Sequence, residues 1–423
     1  MQLCFQRKST KVLYLFALCH YLSYDDCMKN LYLFLIPFTL FARNPNSQLP
    51  NPQLLEYQNQ YTLCKKRNNY QITHCLLNGN INLVALRGDL YTPKKISYSK
   101  IKELEKEGVL ADYVFSLLPQ TRRYQDLLVF LDYLYAIKTS YISPKFKGNP
   151  EEDILAMKRI FNLLQGADLY EDTEYTQEFK AEIVEFQRRH GLKMDAEVGP
   201  ATKRALKPSI HSIITKVRKN IEIERISARK PNEYVFINIP EFMMYYFRDA
   251  QPILDMKVVV GKSKMRTPVF HRDMKYVVLN PRWNVPSSIY KKEYAHKSYK
   301  DLQKKGFDFN SEGKLYQKSG RRNALGTVKF LFPNKFNVYM HDTPAKSLFH
   351  KSKRAFSHGC IRLEKPHNLL NTLGYEYNTK KNKWLTLPKT IPVYVEYHTV
   401  WIDDEGIPQF REDIYGYERK LFR

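Results

Sequence analysis

Two short segments in the last quarter of the chain hold residue types that carry out covalent chemistry. One is Val338-Tyr339-Met340-His341-Asp342-Thr343-Pro344, the other Ser357-His358-Gly359-Cys360-Ile361-Arg362-Leu363. A cysteine thiol is mostly protonated near neutral pH. It becomes a good nucleophile where an imidazole, a cation or backbone N–H groups favour the thiolate. His341 is the candidate base for Cys360. Gly359 has no Cβ, so the backbone there can approach a substrate closely. The amides around His358, Gly359 and Cys360 are candidate donors to a tetrahedral oxyanion. The same residue types admit two other readings at this point. His341, His350, His358 and Cys360 could ligate zinc, although His358 and Cys360 lie only two apart, which is awkward for two ligands of one ion. A Gly-Cys pair in a strand–loop can also be a buried structural thiol. That reading leaves unexplained why two His-bearing segments flank the same β core.

Strands must position these segments. From Tyr234 the sequence turns into short β-branched or aromatic runs: Tyr234–Ile239, Phe242–Phe247, Leu254–Val260, Tyr276–Leu279, Val338–Met340 and Val393–Glu396, divided by Pro, Gly and Asp turns. Residues 232–400 are predicted to form a mainly β domain with short helices, followed by a tail over 401–423. Within it, Pro286–Arg322 is polar, rich in Lys and Ser, and too long for an ordinary loop. It reads as an insertion (286–322).

Upstream of the strands the pattern is helical. Residues 43–60 are a Pro/Asn/Gln-rich linker opening a helical scaffold region over 43–150, in which Tyr124–Ile137 is strongly apolar. Residues 151–208 form a compact unit. Glu151–Leu164 sets Ile154, Met157, Ile160, Phe161 and Leu164 at helical spacing, Thr176–His190 stops at Gly191, and a turn through Asp195 leads to a third helix ending at Leu206. Residues 209–231 are a basic connector, read as a helix with a solvated face.

The chain has 423 residues, 43% of them hydrophobic, and a net charge of +25. That composition excludes a disordered chain and a polytopic membrane protein. The charge admits nucleic acid, anionic lipid or an anionic cell-wall polymer as partner. The basic connector carries neither interleaved aromatics nor a base-reading motif, so no nucleic-acid partner is expected. Residues 1–42 hold two apolar stretches, Val12–Tyr24 and Leu31–Ala42, each shorter than the ~20 residues of a spanning helix. Met28-Lys29 followed by an apolar run is how a signal peptide begins, so Met28 is a candidate start and 1–42 a leader, signal or anchor. Contact with a membrane is expected only if that leader is uncleaved. Cys64 and Cys75 are close enough in sequence to pair in an oxidising compartment, which leaves Cys360 as an odd thiol. No CxxC pair supports a zinc ribbon or a thioredoxin motif.

Two resemblances follow from quoted residues. The run FQRRHGLKMDAEVGPATKRAL is similar to the three-helix peptidoglycan-binding domain, with Ala196 where that family usually has Gly. The turn after Asp195 must therefore tolerate a Cβ. His341 followed after fifteen residues by Ser357-His358-Gly359-Cys360 resembles the L,D-transpeptidase catalytic signature, with Arg362 two after the Cys as in its Gram-negative-type branch. Val258-Val-Val-Gly261, Arg266-Thr-Pro268, Leu279-Asn-Pro-Arg-Trp283 and Asn323-Ala-Leu-Gly326 extend the resemblance to the large multi-domain members.

The resemblance implies an α+β multi-domain chain. It would comprise a helical N-terminal region, a three-helix peptidoglycan-binding domain, and a mainly β L,D-transpeptidase catalytic domain whose insertion is a capping subdomain gating acyl-acceptor entry. It implies Cys360 as nucleophile, His341 as general base, and the Asp342 carbonyl as the group orienting His341. His358 and Gly359 would shape the oxyanion loop, while Arg362, Tyr339, Trp283 and Ser357 would line the substrate groove. For Trp283 and Tyr339, packing on the β core is the competing reading. No metal or organic cofactor is implied. The partners would be peptidoglycan stem peptides and glycan, and the location the periplasm or cell envelope. Resolution of the acyl-enzyme by an amine, by water or by a lipoprotein amine stays open, as does a non-catalytic wall-binding role.

Overall fold

The computed structural model describes residues 52–66, 68–79, 95–227 and 230–421. The leader reading for 1–42 lies outside them. Among the described residues, no helix is long and apolar enough to cross a membrane. The chain divides into two units. One comprises the helical residues up to Ser227 together with His398 onward, and the other the strands from Ala228 to Tyr397.

Among the described residues the first unit holds α1 Pro52–Tyr61, α2 Asn69–Asn78, α3 Tyr98–Lys106, α4 Leu110–Ser116, α5 Arg122–Ala136, α6 Pro150–Gln165, α7 Gln177–Arg189, α8 Pro200–Leu206 and α9 Ile210–Ile226, and a short helix near its end at Tyr417–Leu421. Cys64 and Cys75 are disulfide-bonded beside α2. Helices α6 to α8 are the three-helix module. Asn149 caps α6 and Gly166 closes it in the left-handed conformation. Gln187 holds the turn before α8 together. Its Nε2 donates to Asp195 Oδ1 (2.9 Å), the Glu197 carbonyl (2.9 Å) and Thr202 Oγ1 (3.2 Å), and its Oε1 accepts from the Asp195 and Ala196 amides (2.9 and 3.1 Å). The recurring Gln, Asp and Thr of this motif are thus the parts of one hydrogen-bonded turn. Ala196 sits at φ +61°, left-handed backbone in which a glycine would be relaxed.

Two expectations are corrected in this unit. The basic connector 209–231 is not a solvated helix. Ile213, Ile214, Val217 and Ile221 of α9 enter the same core as α5 to α8. Glu222 and Arg225 form a fully buried ion pair at 3.0 Å, and Arg225 also donates to the Tyr124 hydroxyl and the Tyr61 carbonyl (both 3.1 Å). The apolar stripe at i, i+3, i+4, i+7 outweighs the lysines and arginines between its members. Nor is 401–423 a loose tail. Val400–Ile402 and Pro408–Phe410 pair as a hairpin whose Val400, Ile402 and Phe410 join the helical core. Asn220 of α9 fixes its start by accepting from the Thr399 and Val400 amides (2.9 and 3.1 Å).

The second unit is built on a closed sheet. Its strands are β1 Glu233–Asn238, β2 Met243–Arg248, β3 Gln251–Gly261, β4 Phe270–Leu279, β5 Trp283–Asn284, β6 Phe307–Phe309, β7 Leu315–Gln317, β8 Val328–Leu331, β9 Met340–His341, β10 Ala355–Ser357, β11 Ile361–Leu363 and β12 Lys383–Glu396. The order β3-β11-β9-β8-β4-β12-β1-β2 closes because β2 pairs back with β3, and β10 adds to β3. Full closure leaves these eight strands without a bare edge. The insertion 286–322 is folded rather than a loop. Its strands β6 and β7 form a small separate sheet with β5 just before it, a short helix runs Tyr299–Lys304, and Ile289, Leu302, Phe307 and Leu315 make a core that the flanking Trp283, Val285 and Leu325 complete.

Candidate active site

Strands β8, β9 and β11 lie side by side, and the two-residue alternation along each sorts core from site. Val328, Phe330, Met340, Ile361 and Leu363 are fully buried on one face. The residues between them turn to the other face. There the register sets Lys329 opposite His341, and His341 opposite Arg362, a row across three strands. Two positions back, Tyr339 and Cys360 continue that face, joined by the Ile361 amide donating to the Tyr339 carbonyl (3.0 Å). The sheet therefore brings together Cys360, His341, Arg362 and Tyr339, all singled out from sequence, and adds Lys329, which was not.

His341 is 4% exposed, and its Nδ1 lies 2.5 Å from the Asp342 carbonyl. A carbonyl only accepts, so Nδ1 carries the proton and Nε2 keeps its lone pair. Burial, then the Arg362 charge, with a smaller push from Lys329, takes the imidazole down to about 3. His341 is thus neutral throughout the physiological range.

The Asp342 side chain supports that carbonyl from behind. Its Oδ2 accepts from the Thr327 amide and hydroxyl (both 2.9 Å), its Oδ1 from Lys346 Nζ (2.8 Å), and its own amide donates to the Val328 carbonyl (2.9 Å). The Thr327 hydroxyl hydrogen is committed to the carboxylate, so His367 Nε2, at 2.9 Å, is the donor to Thr327 Oγ1. Burial opposes ionisation of Asp342, but Lys346 and the Thr327 amide outweigh it and hold the carboxyl below its ordinary range. Gly326, at φ +60°, is required here: a Cβ would come within 2.3 Å of the Asp342 carboxylate.

Cys360 is a free, half-buried thiol whose Sγ lies 3.8 Å from the Asn337 carbonyl. Burial pushes the thiol up, while the polar groups of Tyr339 and the charges of Lys329 and Arg362 pull it down, without outweighing burial. Ser357 shapes the loop. Its hydroxyl donates to the Cys360 carbonyl (2.5 Å) and accepts from the Gly359 amide (3.0 Å). The Gly359 amide is therefore occupied by Ser357. Gly359 sits at φ +119°, and its carbonyl accepts from Thr267 Oγ1 (2.8 Å), which in turn accepts from the Gly261 amide (2.9 Å). This explains the Thr of the Arg266-Thr-Pro268 segment: it ties the cysteine loop to β3.

His358 faces the insertion. Its Nε2 lies 2.6 Å from Oε1 of Glu293, in the single π-helical turn Tyr290–Tyr294. Glu293 also bears on Arg362, whose guanidinium is lowered chiefly by burial and whose buried Nε has no hydrogen-bond partner among the described residues. Trp283 is 9% exposed in the insertion core, edge-on to Tyr294 and Phe307, so packing accounts for it. Tyr339 packs against the same core, and its hydroxyl is held protonated by burial and the nearby thiol. Among the described residues, no three His, Cys, Asp or Glu side chains gather as a metal site.

Lys329, Glu293, Thr327 and His367 were missed from sequence. The alternation Val328-Lys329-Phe330 marks Lys329 as facing away from the core. Which strands flank it is a matter of register, and no local pattern carries that.

Residues 232–395 match the family model described as "L,D-transpeptidase catalytic domain", and residues 151–206 the model "Putative peptidoglycan binding domain". A Haemophilus influenzae protein described as "Putative L,D-transpeptidase" is 33% identical over 220 residues, covering 44% of this chain. The match spans 45% of that protein's length. Among solved structures, an L,D-transpeptidase from Mycobacterium smegmatis is 17% identical over 39% of this chain and 58% of its own, with a TM-score of 0.24. The catalytic domain of an E. faecium L,D-transpeptidase is 17% identical over 40% of this chain and 100% of its own, also with a TM-score of 0.24. The chain thus carries a catalytic domain of the L,D-transpeptidase family behind a peptidoglycan-binding domain.

Proposed function

We propose that the protein is a cell-envelope L,D-transpeptidase that forms 3→3 cross-links in peptidoglycan. The observation that carries this is the neutral, buried His341 on the strand beside Cys360, its Nδ1–H engaged by the Asp342 carbonyl so that Nε2 is left as a base. On this reading the Cys360 proton passes to His341 Nε2 as Sγ attacks the carbonyl of the third, diamino acid residue of a tetrapeptide stem. The S–C bond forms, the C–N bond to the terminal D-Ala breaks, and the imidazolium returns its proton to the leaving amine. The side-chain amine of a second stem then attacks the thioester, losing its proton to His341 and freeing the thiol. Arg362, with its unpartnered Nε, is suited to a stem carboxylate. The positive charge of the chain suits an anionic wall polymer.

The test is intact mass after incubation with a carbapenem, a strained acyl donor. Wild type should gain one adduct and C360A none. Muropeptide analysis of sacculi treated with the enzyme then identifies the acceptor: 3→3 dimers for a stem amine, trimmed tripeptides for water. A folded wild type without an adduct would return the lead to a wall-binding role. The insertion 286–322, pinned to the cysteine loop by Glu293 and His358, is read as the gate for the acceptor. Its deletion should leave acylation possible and change the partition between cross-linking and hydrolysis. An unchanged partition would end the gating reading.

A further inference from the structure

The neutral state of His341 raises a question that the nucleophile–base pair does not answer. In a site where the imidazole is held unprotonated, no imidazolium stands by to stabilise a thiolate in the resting enzyme. The groups that bear on Cys360 from its neighbouring elements are Lys329 on β8, Tyr339 on β9 and Arg362 on β11; His341 stands in the row between Lys329 and Arg362, and His358 turns to Glu293 of the insertion, which also bears on Arg362. Of the two cations, Arg362 is partly answered by Glu293.

Lys329 has a different set of neighbours. Among the described residues no carboxylate pairs with it, and its Nζ rests 3.8 Å from the centroid of the Tyr339 ring. That ring belongs to the residue whose polar groups, with Lys329 itself, favour the Cys360 thiolate. Burial lowers the ammonium, and Cys360 is the charge that raises it again. A half-buried lysine without a carboxylate is costly to maintain, and such a group beside a reactive thiol is a candidate functional position.

We propose that Lys329 is the electrostatic partner of the nucleophile: its ammonium, seated on the Tyr339 ring in the row beside His341, stabilises the Cys360 thiolate as the thiol proton leaves for His341 Nε2. It is a positioning and charge-stabilising residue that neither forms nor breaks a bond. This rests on Cys360 being the nucleophile of the proposed reaction. It assigns to a lysine on the neighbouring strand the charge that an imidazolium supplies in other cysteine enzymes.

The experiment is the pH dependence of Cys360 alkylation by iodoacetamide in the full chain, read by peptide mass mapping at that residue, for wild type, K329M and K329R. Alkylation reports the thiolate directly and needs no peptidoglycan. K329M keeps the hydrocarbon stem over Tyr339 and removes only the charge. It should move the alkaline midpoint up by about one pH unit, with a roughly tenfold slower reaction near neutral pH, while K329R stays close to wild type. Near-UV circular dichroism confirms that the variants are folded, and K329Q serves if K329M is not. A midpoint unmoved in the folded charge-neutral variant overturns the inference, as does K329R shifting as far as K329M, which would make shape the requirement and not charge. Carbapenem adduct formation on the same variants reads the transpeptidase activity separately, so either idea can fail without the other.

Discussion

Two histidines, one in each unit, are held in nearly the same way. His190 in the helical unit places Nδ1 2.8 Å from the Phe186 carbonyl, and His341 in the β unit places Nδ1 2.5 Å from the Asp342 carbonyl. Both are taken down to about 3, burial being the largest cause in each case. Their surroundings differ. His190 is stacked between Phe186 and Phe410, with ring centroids at 3.8 and 5.1 Å, and serves as a flat apolar filler. His341 stands in a row with Lys329 and Arg362 beside a free thiol. A fixed tautomer and a depressed titration therefore do not by themselves mark a base. What distinguishes the catalytic candidate is the reactive group its second nitrogen can serve.

The comparison can be broken most directly by exchanging roles. H341A should slow carbapenem acylation of Cys360 by roughly 10²–10⁴, the usual contribution of a general base. H190F, which keeps an aromatic plane between Phe186 and Phe410, should leave the acylation rate within about twofold, as for a substitution remote from the chemistry. A large loss in H190F would erase the distinction drawn between the two histidines. A smaller effect concerns acid stability. Both imidazoles titrate near 3 in the folded chain and near 6.5 unfolded, so between those values the unfolded chain binds more protons. The stabilisation is complete above the unfolded value and is lost as pH falls toward the folded one. H190F removes one of the two contributions. Urea midpoints taken from pH 7 down to pH 4 should fall less steeply in H190F than in wild type. Parallel slopes would show that His190 is protonated in the folded state.

Much of this was legible in the sequence, for reasons that differ between elements. The three-helix module was legible because its apolar spacing and its Gln-Asp-Thr turn are both local; the helices fall at Pro150–Gln165, Gln177–Arg189 and Pro200–Leu206. The strand centres were legible from β-branched runs. Their extensions, Phe270–Lys275 and Lys383–Pro392, were not, because the buried residues there (Phe270, Met274, Leu387 and Ile391) are isolated among polar neighbours, and β4 and β12 are held by pairing with each other. Cys360 and His341 stood out by residue type and spacing. Lys329 and Glu293 did not, since their proximity to Cys360 depends on strand register and on the fold of an insertion, both non-local. The connector misled because charge was weighed above periodicity: Lys216 and Arg218 reach out to backbone carbonyls of Arg411 and Asn59, while Val217 between them and Ile213, Ile214 and Ile221 on either side pack inward.

The hairpin that returns to the helical core sets an order of events during synthesis. A ribosome delivers α1 to α9 first and the whole β unit next, and only then residues 398–421. Until those arrive, α5, α7 and α9 present an apolar surface whose natural cover has not yet been made, and Asn220 waits for the two amides it will receive. The β unit has no such debt and can close as soon as β12 is available. During synthesis the helical part is therefore the one expected to stay exposed longer, and a chaperone that recognises bare apolar helix faces would find its substrate there.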